Sequence, residues 1–409
     1  MKKTFRERLA SIGPAAIITS AFIGPGTITT ATVSGVNFGY ALLWCILFSG
    51  IALVILMEMS ARTTLASGMN LVDAAHAVAP NSKAWKYTIN GVFFATVAAV
   101  CFAFQAGNEI GAANGLADIF GLPLPIAALF IGACALATTW IGSYKTLETI
   151  MKIFVSLMGV LFFLTMLVVG PNLGQLFKGA FVPSLPEGST VNALALIGTT
   201  LVGINLIVHS ISCQEKYKSL DEMGDAKFDI VINILIGVVI TLSILVTSAA
   251  TLYNSGVQVS SPLVFTQSLE PVLGSWARIV GDIGLFAAGL SSAVAVSYTI
   301  RSIYSRLFRW EGGSTSMPAK LLGTIVIVFG TVFAMLSKTP TQIIIIAQAV
   351  SGFSLPFIAI VLMIVANNKK IMGEHVNKAF SNIVAFIAVA VTLGLGIRNL
   401  INALGRLFG

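Results

Sequence analysis

The sequence predicts an all-α integral membrane protein in which two inverted repeats of five helices are followed by one extra helix. The chain is 56% hydrophobic and 10% charged, whereas a soluble domain carries about 25% charged residues. Apolar runs of about 18 residues or more recur along its whole length, and each run is long enough to cross the hydrocarbon core of a bilayer. Two of these runs, five spans apart, are interrupted at corresponding places, which is typical of transporters built from inverted repeats.

We predict eleven membrane-spanning helices, taken in order along the chain. They cover about residues 13–35, 39–61, 88–118, 124–143, 149–170, 191–213, 228–254, 276–300, 319–336, 343–366 and 382–403. The connections are short, so a single transmembrane domain accounts for residues 1–409. Its first repeat covers about residues 13–170, its second about 191–366, and the extra helix about 382–403.

The basic residues predict the orientation of the spans. With the N-terminus in the cytoplasm, 19 of the 24 Lys and Arg residues fall in cytoplasmic segments. The others are Lys178, Arg278, Lys338, Arg398 and Arg406. This asymmetry follows the positive-inside rule. It predicts a multi-pass protein of the cell (inner) membrane with a cytoplasmic N-terminus and an extracytoplasmic C-terminus.

The first span is broken by Gly24-Pro25-Gly26, which Thr27 and Thr30 follow. Proline removes a backbone donor and clashes with the preceding turn. Since a lipid-exposed helix cannot lose backbone hydrogen bonds without a large cost, such a break is buried in protein or lines a polar cavity. We expect unwound backbone at Gly24–Thr27; the alternative is a simple proline kink in a packed helix.

The sixth span carries a second break near Val202, Gly203 and Asn205, at the corresponding place in the second repeat. Interrupted helices at matching positions are where secondary transporters hold their substrates. We therefore expect unwound backbone around Val202–Ile204, facing the first break at mid-membrane. The alternative is a packing face of small residues.

Short motifs in a specific order and spacing make the chain similar to one known family. They are Gly24-Pro25-Gly26, Phe38-Gly39-Tyr40, Ser60-Ala61-Arg62, Leu147-Glu148, Asn205-Leu206 with His209-Ser210, Gly289-Leu290-Ser291-Ser292, and Gln348 with Leu355-Pro356-Phe357. In these motifs the chain resembles the Nramp family of proton-coupled divalent metal transporters over nearly its full length. The resemblance implies the LeuT-type fold and ion transport by symport.

The chain departs from this family at the positions that ligate the metal. The family's first broken helix reads Asp-Pro-Gly-Asn, and its aspartate and asparagine are ligands; here Gly24 and Thr27 stand there. The family's Met-Pro-His motif on the sixth helix is Val202-Gly203-Ile204 here. The predicted substrate site therefore contains Gly24, Pro25, Gly26, Thr27, Thr30, Val202, Gly203, Asn205 and Gln348, with no tightly ligated metal.

The chemistry of these residues predicts the class of substrate. They offer hydroxyls, amides and backbone groups, whereas a transition metal stripped of water needs anionic or soft ligands. Helix N-termini favour a carboxylate group. The sequence therefore predicts a secondary transporter for a small organic anion or zwitterion. The alternatives are a transporter that recognises a hydrated divalent metal such as Mg²⁺ and a non-transporting membrane sensor.

Glu109, His209 and Asp118 are the candidates for a proton pathway. Glu109 lies within the third span on a stripe with Gln105, Asn108 and Asp118. A carboxylate at that depth is costly unless it faces a cavity or changes protonation. An imidazole on the sixth span can relay protons near neutral pH. The alternatives are a hydrogen-bonded structural carboxyl group and a core histidine.

Other classes of function are not indicated by the sequence. It holds no Gly-rich nucleotide motif and no nucleophile–base pair or metal cluster that would indicate an enzyme, and no cofactor is expected. The excess of basic residues follows from topology and contact with anionic lipid, so it gives no reason to expect nucleic acid. The predicted partners are a small solute or ion, a coupling proton and the lipid bilayer.

Overall fold

The computed structural model describes residues 24–141 and 145–408. Residues 13–23 of the first predicted span and 142–143 of the fourth therefore lie outside the described residues. The described α-helices are α1 (Pro25–Phe38), α2 (Leu43–Ser67), α3 (Leu71–Ala77), α4 (Lys83–Phe120), α5 (Leu124–Ile141), α6 (Lys145–Val168), α7 (Leu173–Phe181), α8 (Thr190–Thr200), α9 (Gly203–Lys216), α10 (Met223–Leu252), α11 (Glu270–Leu273), α12 (Trp276–Leu307), α13 (Met317–Leu336), α14 (Pro340–Ala366), α15 (Lys369–Met372) and α16 (Ala379–Phe408). Short 3₁₀ helices cover Leu220–Glu222, Pro262–Leu269, Gly313–Thr315 and Gly373–His375.

The helices match the predicted spans. Within the described residues, nine helical stretches are long and apolar enough to cross a membrane. They comprise α2, α4, α5, α8 with α9, α10, α12, α13, α14 and α16. Helices α1 and α6 lie at the two remaining predicted spans, the first and the fifth. The all-α fold is confirmed, while the boundaries of the two repeats stay a prediction.

Local sequence explains the helix ends around the short helix α3. The side chain of Asn70 caps its N-terminus by accepting from the backbone N–H groups of Val72 (3.1 Å) and Asp73 (3.2 Å). Ser82 Oγ accepts from the Trp85 N–H at the start of α4 (3.2 Å). Helix α2 ends at Gly68, whose φ of 70° is readily adopted by glycine. Polar caps and one glycine thus turn the chain between α2 and α4.

Helix α4 lies at the centre of the bundle and packs against α12, α13 and α14. Its 38 residues make it about 57 Å long, so it extends beyond a hydrocarbon core of about 30 Å. Small residues allow close packing, as is common between membrane helices. A Cβ atom at Gly289 of α12 would lie 2.6 Å from the backbone carbonyl oxygen of Asn108. The close approach holds α12 and α4 together beside the expected substrate site.

Helix α1 begins inside the predicted first break, and the residues before Gly24 lie outside the described part of the chain. Gly24 is extended (φ −101°, ψ 177°), and α1 begins at Pro25. The first helical position lacks an intrahelical N–H bond in any case, so proline is well tolerated there. The expectation of unwound backbone is thus correct at Gly24 and wrong for Pro25–Thr27, which form the first turn of α1.

The second break lies between α8 and α9. Leu201 (φ −90°, ψ 68°) and Val202 (φ −88°, ψ 115°) are non-helical, and α9 begins at Gly203. The prediction of an interruption is correct, but Gly203 and Ile204 are helical. A Cβ atom at Gly203 would lie 3.1 Å from Leu355 Cα of α14, so this glycine serves close helix packing more than unwinding.

Candidate substrate site between the interrupted helices

A buried cavity lies where α1 begins and where α8 gives way to α9. Its volume is about 40 Å³, which accommodates about three water molecules. It is lined by Gly24, Gly26, Thr27, Phe104, Asn108, Thr199, Val202, Ile204, Asn205, Ser292, Ala295, Val296, Thr299 and Gln348. None of these lining side chains among the described residues is ionisable, so the cavity is neutral and combines apolar side chains with amides and hydroxyls.

Gln348 of α14 is held between two glycines of the interrupted helices. Its side-chain amide lies where a Cβ atom at Gly26 of α1 would be. Its backbone carbonyl oxygen similarly excludes a Cβ atom at Gly198 of α8. The side chain is 5% exposed and lines the cavity. The two glycines therefore let Gln348 approach both broken helices at once.

Ser292 of α12 supplies a hydroxyl group without a partner. Its Oγ atom is buried and makes no hydrogen bond with the described residues. A Cβ atom at Gly24 would lie 3.0 Å from this Oγ atom and 3.6 Å from Asn108 Oδ1. A buried polar group without a hydrogen bond is destabilising. The lack of a Cβ atom at Gly24 therefore leaves space next to this hydroxyl and the Asn108 amide oxygen.

Helix ends add to the electrostatics of the cavity. The N-termini of α1 and α9 meet it at Gly24 and Val202, which bring the positive ends of two helix dipoles close to it. The C-terminus of α8 meets it at Thr199, which brings the negative end of a third helix dipole close to it. The cavity therefore lies close to both positive and negative ends of helix dipoles.

The oxygen atoms of the lining indicate which ions it could hold. Asn108, Asn205 and Gln348 offer amide oxygens, and Ser292 and Thr27 offer hydroxyls. Hard cations such as Mg²⁺ and Ca²⁺ prefer oxygen ligands. Within the part of the chain that the structure describes, no group of three or more His, Cys, Asp or Glu side chains could hold a metal ion.

Three of the residues predicted for the substrate site lie behind the lining. Pro25 packs so closely on Gly111 of α4 that a Cβ atom there would overlap its ring. Gly203 faces α14. Thr30 is buried one turn along α1 from Thr27, and its hydroxyl group has no partner among the described residues. The other six, Gly24, Gly26, Thr27, Val202, Asn205 and Gln348, line the cavity.

The three residues predicted for proton transfer lie apart from the cavity. Glu109 is fully buried between α4 and α13, and its carboxyl oxygens accept from Gln105 Nε2 (2.8 Å) and Thr331 Oγ1 (2.7 Å). His209 is buried on α9 with its Nε2 atom 3.5 Å from the Cys213 sulfur. Asp118 accepts from Arg278 Nε at 2.6 Å. Asp118 thus belongs to an ion pair near the end of α4.

Eight lining residues were absent from the predicted site. They are Phe104, Asn108, Thr199, Ile204, Ser292, Ala295, Val296 and Thr299. Those on α12 recur at positions three, four and seven residues after Ser292, which is the spacing of one helix face. That spacing was a detectable signal, but α4 and α12 are continuous helices. Both contain glycines but no proline, so they lack the signal that marks the first break.

Comparison with solved structures supports the fold. The manganese transporter of Eremococcus coleocola aligns with a TM-score of 0.76 and 17% identity, covering 100% of this chain and 90% of that one. MhsT in complex with L-phenylalanine aligns with a TM-score of 0.59 and 19% identity, covering 94% of this chain and 97% of that one. These similarities confirm the LeuT-type fold expected from the sequence.

Comparison with known sequences identifies the family. A protein named divalent metal cation transporter MntH from Yersinia pestis (strain Pestoides F) is 25% identical over 97% of this chain and 96% of its own length. The protein of the same name from Bacillus subtilis (strain 168) is 27% identical over 96% of this chain and 92% of its own length. The family model described as natural resistance-associated macrophage protein-like matches residues 15–402. The chain therefore belongs to the Nramp family of membrane transporters.

Proposed function

We propose that this protein is a secondary transporter that moves a small hard divalent cation, Mg²⁺ or an ion of similar chemistry, with part of its hydration shell. The observation that carries the proposal is the neutral cavity of about 40 Å³ between the two interrupted helices, in which amide and hydroxyl groups supply the polar side-chain atoms. The relatives named as divalent metal cation transporters support a cation as the substrate. The cavity supports the choice of a hard cation over a transition metal.

The ligand set argues against tight binding of a dehydrated transition metal. No carboxylate, imidazole or sulfur atom belongs to the described lining, and soft or anionic ligands are what such a metal requires once its water is removed. Mg²⁺ dehydrates reluctantly and usually keeps several waters. Amide and hydroxyl oxygens can accept hydrogen bonds from those waters. Room for about three water molecules fits an ion with a partial hydration shell.

A small organic anion or zwitterion is the second candidate. The N-termini of α1 and α9 at the cavity favour it, because helix N-termini attract carboxylate groups. An organic substrate of more than a few heavy atoms would require the cavity to expand. We place this candidate second because such a substrate requires more volume than the cavity offers. The relatives are also named as divalent metal cation transporters.

Reconstituted vesicles can distinguish these candidates. Purified protein in liposomes that contain a Mg²⁺-sensitive dye is expected to take up Mg²⁺ faster than protein-free liposomes. Asn108→Leu removes an amide from the cavity and should lower the rate about tenfold, the equivalent of about 1.4 kcal/mol. Asn114→Leu is the matched control, because Asn114 is on the same helix but bonds to the Ile110 carbonyl oxygen at 2.8 Å.

The same vesicles test the organic candidate. Uptake of a radiolabelled small carboxylate or amino acid, without Mg²⁺ flux, would contradict the proposal and support the second candidate. Mg²⁺ flux that Asn108→Leu leaves unchanged would place the cation elsewhere in the protein.

We also propose that transport is coupled to protons and that Glu109 binds the coupling proton. Glu109 is fully buried and follows Asn108, which lines the cavity. Its oxygens accept from neutral groups, those of Gln105 and Thr331. Asp118 is less suitable because Arg278 pairs with it. A change in the charge of Glu109 would therefore act directly on the helix that carries Asn108.

A further inference from the structure

A second, larger cavity opens at the end of the bundle where α4 begins and α12 ends. Its volume is about 700 Å³. The cations Lys86 and Arg309 line it together with His76, Asn90 and Asp73. Apolar residues, among them Phe308, complete the wall. A wall with an apolar part and a basic part suits an amphipathic anion.

Arg309 occupies a backbone position that normally belongs to glycine. Its φ is 53°, and the described chain contains only one other non-glycine residue with positive φ, an asparagine. The Trp310 N–H donates to the Ser305 carbonyl oxygen at 2.9 Å, and the Arg309 N–H donates to that of Arg306 at 3.3 Å. These two bonds form a Schellman motif, in which glycine is preferred at the position of Arg309. An arginine in this conformation is strained, so helix termination does not explain its presence.

Donors outnumber acceptors among the polar side chains that line the cavity. His76 Nε2 donates to Asn90 Oδ1 at 2.7 Å, which leaves the Asn90 amino group for another acceptor. Asp73 Oδ2 already accepts from Asn70 Nδ2 at 2.6 Å. Among the described residues, neither Lys86 nor Arg309 forms an ion pair. Two cations and one carboxylate leave a net positive charge on the wall.

The position of the cavity indicates where its ligand comes from. Lys86 is in the first turn of α4, and Arg309 follows the last turn of α12. Both lie where membrane helices end. Trp310 stacks on Phe308 with ring centroids 5.6 Å apart. Tryptophan is enriched at membrane interfaces. Lys86 lies two residues before the predicted third span, so we expect the cavity to lie near the lipid headgroups.

We propose that this cavity binds the phosphate group of an anionic phospholipid, with Lys86 and Arg309 as the phosphate ligands. Arginine and lysine are the usual partners of phosphate. The left-handed backbone places the Arg309 side chain at the end of α12. A glycine at this position would have no side chain to offer a ligand. The apolar wall would contact the glycerol and upper acyl groups. The site is separate from the substrate cavity and does not depend on the identity of the transported ion.

Native mass spectrometry of the purified protein tests the proposal with two lipids of identical acyl chains. Phosphatidylglycerol is expected to stay bound where phosphatidylcholine is lost. Arg309→Gly and Lys86→Gln should each weaken phosphatidylglycerol binding about tenfold, since a hydrogen bond to a charged group is lost. Lys83→Gln is the matched control, because Lys83 precedes Lys86 by one turn but does not line the cavity.

Arg309→Gly also separates a ligand role from a structural one. Glycine relieves the left-handed strain, so the melting temperature should stay the same or rise while lipid binding falls. A lower melting temperature with unchanged lipid binding would overturn the proposal. So would equal retention of the two lipids, or an equal loss in Lys83→Gln. Displacement of phosphatidylglycerol by millimolar inorganic phosphate would instead assign the site to a soluble phosphate and reject the lipid.

Discussion

Gly26 and Gln348 are in such close contact that the Gln348 amide fills the space where a side chain at position 26 would begin. Because Gly26 of α1 has no Cβ atom, the Gln348 amide of α14 can occupy this position. Because Gln348 lines the cavity, this contact joins the first interrupted helix to the substrate site.

We expect Gly26→Ala to displace Gln348 and to lower Mg²⁺ uptake strongly. Inserting a methyl group into a well-packed site costs about 1–3 kcal/mol, and here the group that must move is a proposed substrate ligand. Uptake by proteoliposomes and the melting temperature of the purified variant measure the two effects. Gly91→Ala is the control, because a Cβ atom there would meet nothing within 4 Å. Normal uptake by Gly26→Ala would show that the Gln348 amide does not contribute to binding.

Gly24→Asp should create affinity for Mn²⁺ that the natural chain lacks. A carboxylate at this position would enter the cavity beside Asn108 and Ser292. The new Cβ atom would lie 3.0 Å from Ser292 Oγ, so the hydroxyl must shift by a few tenths of an ångström, and Ser292→Ala relieves the contact. We expect the Gly24→Asp, Ser292→Ala double variant to bind Mn²⁺ at least about tenfold more tightly than the natural protein does. This is a gain in binding free energy of about 1.4 kcal/mol.

Isothermal titration calorimetry with Mn²⁺ measures this gain. Gly174→Asp adds the same charge to the exposed first turn of α7, outside the predicted spans, and should leave Mn²⁺ binding unchanged. Low-micromolar Mn²⁺ binding by the natural protein would contradict the view that neutral oxygen ligands exclude transition metals here.

The sequence predicted the interrupted helices because proline and glycine signal them directly. It misplaced their limits because the same residues have a second role. Pro25 is acceptable as the first residue of a helix, where its missing N–H is not needed. Gly203 allows α9 to approach α14. Sequence cannot distinguish a glycine that relaxes a helix from one that lets two helices touch.

The rest of the cavity could not be predicted for a related reason. Asn108 and Ser292 stand on continuous helices; the sequence shows Asn108 only as part of a polar stripe and Ser292 only as part of a short motif. Their convergence on Gly24 depends on the packing of α12 against α4, which follows from long-range contacts such as that of Gly289 with Asn108. Glu109 illustrates the same limit. It is adjacent to Asn108 in sequence but faces Thr331 of α13.

Lys83 and Lys338 should lie on opposite sides of the membrane. Helices α4 and α13 run in the same direction, since Phe102 contacts Phe329 (4.9 Å between ring centroids) and Glu109 accepts from Thr331. Lys83 is the first residue of α4, while Lys338 follows α13, and both side chains are exposed. In intact cells, a membrane-impermeant maleimide should label Lys338→Cys but not Lys83→Cys, if the N-terminus is cytoplasmic.

Labelling in permeabilised cells checks that both cysteines can react. The natural chain controls for background, because Cys45, Cys101 and Cys213 are buried and Cys134 is half-buried. Labelling of both variants from outside would contradict the topology, and labelling of Lys83→Cys alone would invert it.

Glu109→Gln should remove the dependence of uptake on a proton gradient. Glutamine keeps nearly the same size and keeps an oxygen that can accept from Thr331, but it cannot bind and release a proton. Wild-type proteoliposomes are expected to take up Mg²⁺ faster when the outside is more acidic. The variant should take up Mg²⁺ at the same rate with and without the proton gradient. Dye measurements of internal pH would show protons entering with Mg²⁺ in the wild type only.

Two further variants make this result specific to the Glu109 carboxyl group. Thr331→Val removes one hydrogen bond at 2.7 Å but leaves the carboxyl group, so uptake should still respond to the gradient. Glu215→Gln removes an exposed carboxylate that pairs with Arg306 at 2.9 Å and should behave as the wild type. If Glu109→Gln keeps the wild-type response, the proton binds elsewhere, and His209 is then the group to test because it lies on the same helix as Asn205. If the wild type itself shows no response to the gradient, transport is not coupled to protons, and the burial of Glu109 against Gln105 and Thr331 has a structural role only.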